Sequence, residues 1–151
     1  MKLASILTPD RTKCGMKAAS KKKALEQIAE FVCESREQLD SKELFEKLIE
    51  RERLGTTGLG NGIAIPHCRL PNCESIIGAL VQLEDGIDYG AFDKEDVRVV
   101  FLLIVPEEEV DEHLQTLSAL ASRLQSDTYR AALLNAESDM DLYNAAVKED
   151  S

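Results

Sequence analysis

The chain has 151 residues, 44% of them hydrophobic and 30% charged, so it can bury a core in one domain, which we expect to span residues 1–151. Its net charge of -10 argues against nucleic-acid binding and would favour a basic partner, although an ordinary acidic surface gives the same charge. No apolar run approaches the roughly 20 residues that span a bilayer, and no secretory signal is visible. We therefore expect a cytoplasmic protein without direct membrane insertion.

Two amphipathic helices are predicted in the first third of the chain. SKKKALEQIAEFVCESREQL, residues 20–39, has an apolar residue every three or four positions, and Ser20 is its predicted N-cap. Asp40 is expected to cap the second helix and Gly55 to end it, which places Arg51 in or near the last turn. The apolar stripes are Leu25, Ile28, Ala29 and Val32 in the first helix, and Leu44, Phe45, Leu48 and Ile49 in the second.

Three apolar, β-branched segments follow and predict strands. They are GIAIPH at 62–67, SIIGALVQLE at 75–84 and VRVVFLLIVP at 97–106, with a turn-rich segment at 84–96. The third segment is apolar for most of its length, which is typical of a central strand buried on both faces. RTKCGMKA, residues 11–18, predicts a weaker strand.

Three more helices are predicted after Pro106. The acidic run EEEVDE leads into the first, and two shorter helices follow Asp127 and Ser138, which are their expected caps. The apolar stripe of the first of these helices contains Leu114, Leu117, Ala121 and Leu124. Because helices precede and follow a block of strands, we predict an α/β domain with a mixed central β-sheet covered by helices on both faces.

The cysteines and carboxylates give little support for a metal site. Cys68 and Cys73 lie near His67, but the four cysteines contain no paired CxxC spacing of the kind that zinc sites use. The run EEEVDE matches no calcium-binding loop. We expect four reduced thiols and no metal, and zinc is the weaker alternative.

The glycines before and at the start of the strand predicted at 62–67 form a distinctive motif. Gly58, Gly60 and Gly62 give G-x-G-x-G, but Ile63 occupies the last position of the dinucleotide fingerprint, and the glycines follow a helix instead of preceding one. We predict a turn that needs positive φ. The functional alternative is that this loop packs against His67 and lets a partner surface approach closely.

Two histidines and an arginine are candidates for a phosphate site, and each also has a purely structural explanation. His67 ends a predicted strand behind Pro66, where an oriented neutral imidazole could carry a group, or could simply be hydrogen-bonded. His113 lies in the first turn of a predicted helix, or extends the stripe of Leu117. Arg51 offers the fork of N–H donors that suits phosphate, or is a solvated charge. No G-x-S-x-G motif supports a hydrolase.

The stretch RERLGTTGLGNGIAIPH, residues 51–67, resembles the active-site region of enzyme IIA components of the bacterial phosphotransferase system, of the mannitol/fructose type (type 2). Within it, GTTGLGNGIAIPH resembles the nitrogen-regulatory branch. AASKKKALEQIA and DEHLQTLSALA extend the likeness over nearly the whole chain. The resemblance implies the mannitol/fructose-type IIA fold.

The resemblance also implies roles for particular residues. His67 would be the phosphorylated histidine, Arg51 would bind the phosphate, and His113 would lie beside the phosphohistidine. The loop residues Gly60, Asn61 and Gly62 would belong to the phosphate site and let the partner come close. Family members often have glycine at the position of Cys68, which opens the question of redox sensitivity here. No metal, nucleotide or other cofactor is implied.

The implied function is that of a phosphotransferase-system phosphoryl carrier that acts mainly as a regulator. It would accept phosphate from an HPr-like phosphocarrier and control downstream proteins, which in the resembled branch include potassium transporters and sensor kinases. Since the sequence contains no membrane domain or IIB-like segment, we expect a freestanding nitrogen-regulatory IIA protein. The alternatives are a sugar-specific transport IIA component that passes phosphate to a IIB domain, and a non-catalytic binding module.

Overall fold

The computed structural model describes residues 2–108 and 110–148. Within these residues, six strands form one sheet and five α-helices cover it. The strands are β1 (Thr12–Met16), β2 (Gly58–Gly60), β3 (Ile63–Ala64), β4 (His67–Leu70), β5 (Ile77–Ile87) and β6 (Val97–Pro106). The helices are α1 (Lys21–Glu34), α2 (Ser41–Leu54), α3 (Val110–Arg123), α4 (Asp127–Leu134) and α5 (Asp139–Val147), and two short 3-10 turns (Leu3–Ser5 and Pro9–Arg11) precede β1. None of the helices in these residues is long and apolar enough to cross a membrane.

The sheet is mixed and has the order β1-β5-β6-β3-β2. β5 and β6 are antiparallel, whereas β1 runs parallel to β5, and β2 pairs antiparallel with β3. β3 and β4 pair in parallel with successive lengths of β6, Ile63 opposite Val99 and His67 opposite Leu103. The predicted mixed sheet is therefore confirmed.

β6 is the central strand, and its side chains are buried on both faces, as its continuous apolar sequence predicts. One set packs against the apolar faces of α1 and α2, and the alternate set packs against α3, α4 and α5. The first set is Val100, Leu102 and Ile104, and the second is Val99, Phe101, Leu103 and Val105. The two helical layers on opposite faces confirm the predicted architecture.

The helix caps follow from local chemistry, with one correction. Ser20, Asp40 and Ser138 each accept a backbone N–H bond through the side chain, as predicted. The predicted cap Asp127 is wrong by one residue, because Ser126 accepts from the N–H of Tyr129 and Asp127 is the first helical residue. The first helix is also shorter than predicted.

Three further expectations about the elements need correction. The strand predicted at 62–67 is broken, because Pro66 has no N–H and cannot continue the pairing ladder. β5 extends into the segment predicted as a turn, ending at Ile87. Leu114 is 59% exposed instead of lying on the buried stripe of α3. In the acidic run before that helix, Glu109 lies outside the described residues.

The glycine motif forms a hairpin turn between β2 and β3, which confirms the prediction of positive φ. The φ values of Gly60, Asn61 and Gly62 are 90°, 58° and 81°. The backbone N–H of Asn61 donates to Asp93 at 2.9 Å. Any Cβ at position 60 would lie 2.9 Å from the same carboxylate, so the loop of Asp93 packs directly on the turn.

Gly60→Ala should lower the free energy of unfolding by about 2 kcal/mol, since positive φ costs an alanine about 1 kcal/mol and the displaced Asp93 loses a hydrogen bond worth about the same. Gly90→Ala is the matched control, because Gly90 also has positive φ but open space around its Cα. Urea unfolding measures both variants. An equal loss in the two would contradict the packing argument.

Candidate functional site

The break between β3 and β4 positions the His67 side chain. Ile65 lies between the two strands, and its N–H donates to the carbonyl of Thr57 at 3.0 Å. The Pro66 carbonyl accepts from Leu103 at 3.0 Å, so the chain stays attached to β6 across the break. The Ile65 carbonyl lies 2.9 Å from Nδ1 of His67. The ring is thereby held by its own local backbone.

This contact determines the chemical form of the imidazole. A carbonyl oxygen only accepts hydrogen bonds, so Nδ1 of His67 carries the proton and donates it to Ile65. The lone pair is then on Nε2, which is free to act as a nucleophile. Burial lowers the pKa of His67, the bond to Ile65 opposes that shift, and the charge of Arg51 adds to it. The half-buried ring is neutral near pH 7.

His113 lies beside His67 on the buried face of α3. The two ring centroids are 5.5 Å apart in an edge-on arrangement with an interplanar angle of 62°. His113 is 8% exposed, and neither ring nitrogen has a hydrogen-bond partner among the described residues. Burial, and then the charges of His67 and Arg69, lower the pKa of His113. Because unpaired buried polar groups are costly, this imidazole indicates a site for a ligand.

Arg51 completes the group from the last turn of α2. Its Nη1 donates to the Gly55 carbonyl at 3.0 Å, a contact that uses one of the five N–H donors of a guanidinium. Arg51 and the two histidines line one cleft of about 530 Å³. The full lining is Lys47, Glu50, Arg51, Leu54, His67, Cys68, Arg69 and His113. Three permanent cations face one carboxylate there, although the chain as a whole has a net charge of -10.

The structure brings together three of the six residues proposed for the site. Arg51, His67 and His113 share the cleft, whereas Gly60, Asn61 and Gly62 are not among the residues that line it. The Gly62 carbonyl binds the N–H of Val99, which lies four residues before Leu103, the partner of His67. The turn is therefore about 13 Å from the histidine along β6. We correct the expectation that this loop packs against His67.

Four residues of the cleft were missed in the sequence analysis. Arg69 follows His67 by two positions on β4, so the strand period of two places both side chains on one face. Lys47, Glu50 and Leu54 lie on the same helix as Arg51, at spacings of four, one and three residues from it. The helical and strand periods could have identified all four once Arg51 and His67 were paired.

Among the described residues, the cysteines belong to no cluster that could hold a metal ion, and the thiol of Cys68 is largely protonated. Cys68 is 7% exposed, and burial raises its pKa to about 12, so little reactive thiolate exists near neutral pH. The four cysteines form no disulfide in the described part of the chain. Among residues 2–108 and 110–148, no cluster of three His, Cys, Asp or Glu side chains is arranged to hold a metal ion.

The chain matches a known family model over most of its length. Residues 5–148 match the model described as "Phosphoenolpyruvate-dependent sugar phosphotransferase system, EIIA 2". A nitrogen regulatory protein of Pseudomonas aeruginosa is 42% identical over 147 residues, which cover 97% of this chain and 96% of that protein.

Solved structures give the same result. The nitrogen regulatory protein IIA-Ntr of Neisseria meningitidis is 32% identical and superimposes with a TM-score of 0.88, covering 95% of this chain and 98% of that one. The mannitol IIA protein of Escherichia coli is 21% identical and has a TM-score of 0.74, with 90% and 96% coverage. The second likeness concerns the fold, and it agrees with the mixed sheet described above.

The lowered pKa values predict that the protein loses stability in mild acid. Near pH 6 the folded state binds fewer protons on His67 and His113 than the unfolded state does, so the free energy of unfolding rises with pH. This contribution is complete above the ordinary pKa of 6.5 and is lost as the pH falls toward the folded-state values. Urea unfolding at about pH 7.5 and about pH 5.5 should show a smaller acid loss in His113→Phe than in the unmodified protein.

NMR titration of the two imidazoles provides the direct check. Values below 6.5 for both rings are expected, and a value at or above 6.5 for either would contradict the burial argument.

Proposed function

The chain belongs to the EIIA 2 family of the phosphoenolpyruvate-dependent sugar phosphotransferase system, and we propose that it carries a phosphoryl group on His67, accepted from an HPr-like phosphocarrier. The observation that carries this proposal is the free Nε2 of His67 in a cationic cleft. Beside it lies a buried imidazole, His113, without a hydrogen-bond partner among the described residues. The cleft offers a nucleophile and donors for an anion at one place.

The reaction is an in-line transfer between two imidazoles. The lone pair of Nε2 on His67 forms a bond to phosphorus while the phosphorus–nitrogen bond of the donor phosphohistidine breaks. The electron pair of that bond returns to the donor imidazole. Throughout, the proton stays on Nδ1 of His67, and its hydrogen bond to the Ile65 carbonyl stabilises the positive charge that develops on the ring. Such a transfer needs positioning and charge stabilisation more than acid–base chemistry.

The neighbouring side chains supply the charge stabilisation. Arg51 would bind equatorial phosphoryl oxygens with N–H donors that its contact to Gly55 leaves free. His113 would donate its unpaired N–H to another oxygen, which satisfies an atom that is otherwise unpaired. Arg69 and Lys47 add positive charge to the same cleft. Donors that are already in place stabilise charge most effectively in a site with restricted water access.

The regulatory role that we propose follows from the charge of the phosphoryl group. A phosphate on His67 would add about two negative charges to a surface that partners contact. Leu54, which lines the cleft, is 84% exposed and offers apolar area for docking beside the histidine. A partner fitted to the neutral imidazole would be rejected after phosphorylation. The name of the nitrogen regulatory relative supports such a role. As the resemblance implies, potassium transporters or sensor kinases would be the classes of downstream target.

Transfer to a sugar-specific IIB protein is the second candidate, because the family model describes a sugar phosphotransferase system. The cleft can serve either role, since donation to IIB uses the same phosphohistidine. A stable phosphorylated form that transfers no phosphate to purified IIB proteins would favour the regulatory role. Rapid transfer to one of them would favour transport.

Incubation with labelled phospho-HPr should place one acid-labile phosphate on the protein. His67→Ala should abolish the label while circular dichroism remains unchanged, because the side chain that accepts the phosphoryl group is gone. His113→Ala should retain measurable label. An unmodified protein that takes up no label would contradict the carrier function and favour a binding module.

Arg51→Ala should slow phosphorylation about 100-fold with the fold intact, as expected when a charged donor to the transferring group is lost. His113→Ala should slow it less, by about tenfold. Arg53→Ala is the matched control, because Arg53 lies on the same helical turn but does not line the cleft. Equal rates for the Arg51 and Arg53 variants would remove Arg51 from the site.

A further inference from the structure

We infer that Glu52 is a positioning residue that aims the Arg51 guanidinium at the phosphoryl group. The inference rests on the proposed function, since it concerns the rate of phosphorylation of His67. Glu52 does not line the cleft, and its side chain is 5% exposed. A carboxylate buried this deeply is rare unless it is fully paired.

Both oxygens of the Glu52 carboxylate have hydrogen-bonding partners on neighbouring segments. Oε1 accepts the backbone N–H of Thr57 at 3.1 Å and lies 2.8 Å from Nζ of Lys21 at the start of α1. Oε2 accepts the hydroxyl proton of Thr57. Glu52 therefore joins the end of α2 to the start of α1 and to the loop that follows α2.

Tyr89 closes the network from a fourth segment. The Thr57 hydroxyl proton goes to Glu52, so the Tyr89 hydroxyl donates to the Thr57 oxygen, 3.0 Å away. Burial, and then the negative charge of Glu52, raise the pKa of Tyr89, which keeps that donor protonated. The Lys21 ammonium also lies 4.2 Å from the centre of the Tyr89 ring. Each buried polar group of the network thus has a partner.

The network affects the orientation of the Arg51 side chain through the short loop 55–57. The loop is fixed at one end by the helix, where the Gly55 N–H binds the Glu52 carbonyl at 3.1 Å, and at the other by Thr57 on the Glu52 carboxylate. The Gly55 carbonyl in between accepts from Nη1 of Arg51 at 3.0 Å. The orientation of the guanidinium therefore depends on a carbonyl that Glu52 holds in place.

Stability alone is a poor explanation for this arrangement. Burying an ion pair such as Lys21–Glu52 removes both charges from water, and the attraction between them often does no more than offset that loss of solvation. Apolar side chains in their place can give an equally stable protein. What the network supplies is a defined backbone geometry beside Arg51. Small errors in the position of a catalytic group have large effects on transfer rates.

A double-mutant cycle on the full chain tests the inference, with the rate of phosphorylation by phospho-HPr as the readout. Glu52→Gln keeps the side-chain shape but weakens the bonds to Thr57 and Lys21. It should slow phosphorylation of the unmodified protein about tenfold, because Arg51 is misplaced. In the Arg51→Ala background the same change should slow it less than twofold, since no guanidinium remains to be positioned. Thr57→Val, which removes the hydroxyl, should behave in the same way.

Gln82→Met is the matched control for a general loss of stability. Gln82 is a buried polar residue elsewhere, with Nε2 bound to the carbonyls of Leu133, Leu134 and Ala136 at 3.0–3.1 Å. It should lower the melting temperature without changing the phosphorylation rate. An equal slowing by Glu52→Gln in both Arg51 backgrounds, or no slowing at all, would overturn the inference. Absence of label on the unmodified protein would instead overturn the proposed function.

Discussion

The hydrogen bond from Nδ1 of His67 to the Ile65 carbonyl is the contact on which the site depends. The acceptor is the carbonyl two residues before the ring, in the segment that joins β3 to β4. This bond selects the tautomer, the direction of the ring and the nitrogen that is available for chemistry.

The electrostatics of the cleft follow from that arrangement. An acidic chain concentrates Lys47, Arg51 and Arg69 around two imidazoles that burial keeps neutral. A neutral imidazole has the lone pair that His67 needs as a nucleophile. A neutral imidazole also still has one N–H, which His113 can donate. The buried imidazole of His113 has no partner among the described residues, and a phosphoryl oxygen would provide one. The site thus has the positive charge and the unpaired hydrogen-bond donor that an anion-binding site needs.

Much of the fold could be predicted from local patterns, and the site only in part. The strand β6 and the caps Ser20 and Asp40 depend on residues that are close together in the sequence, so local patterns are enough to predict them. The face of α3 was harder to assign, because Leu114 and His113 are adjacent and both fit a helical stripe. Only the packing of α3 on the sheet shows that the histidine points inward and the leucine outward.

The site residues were harder to predict, because residues that are far apart in the sequence meet there. Arg51 and His113 meet His67 because α2 and α3 pack on different parts of the sheet, and no spacing in the sequence encodes that meeting. The resemblance to a family, not periodicity, pointed to it. The same resemblance assigned Gly60, Asn61 and Gly62 to the site, but the hairpin places them at the far end of β3. The strand period of two could have identified Arg69, which lies on the same face of β4 as His67, but the sequence analysis did not include it.

The central claim is that Nε2 of His67 carries the phosphoryl group while Nδ1 keeps its hydrogen bond to Ile65. Long-range 1H–15N correlation spectra of the protein phosphorylated by phospho-HPr identify the substituted nitrogen directly. The account predicts phosphorus coupling to Nε2 of His67 and a proton retained on Nδ1. Phosphorus on Nδ1 of that ring, or on His113, would contradict it.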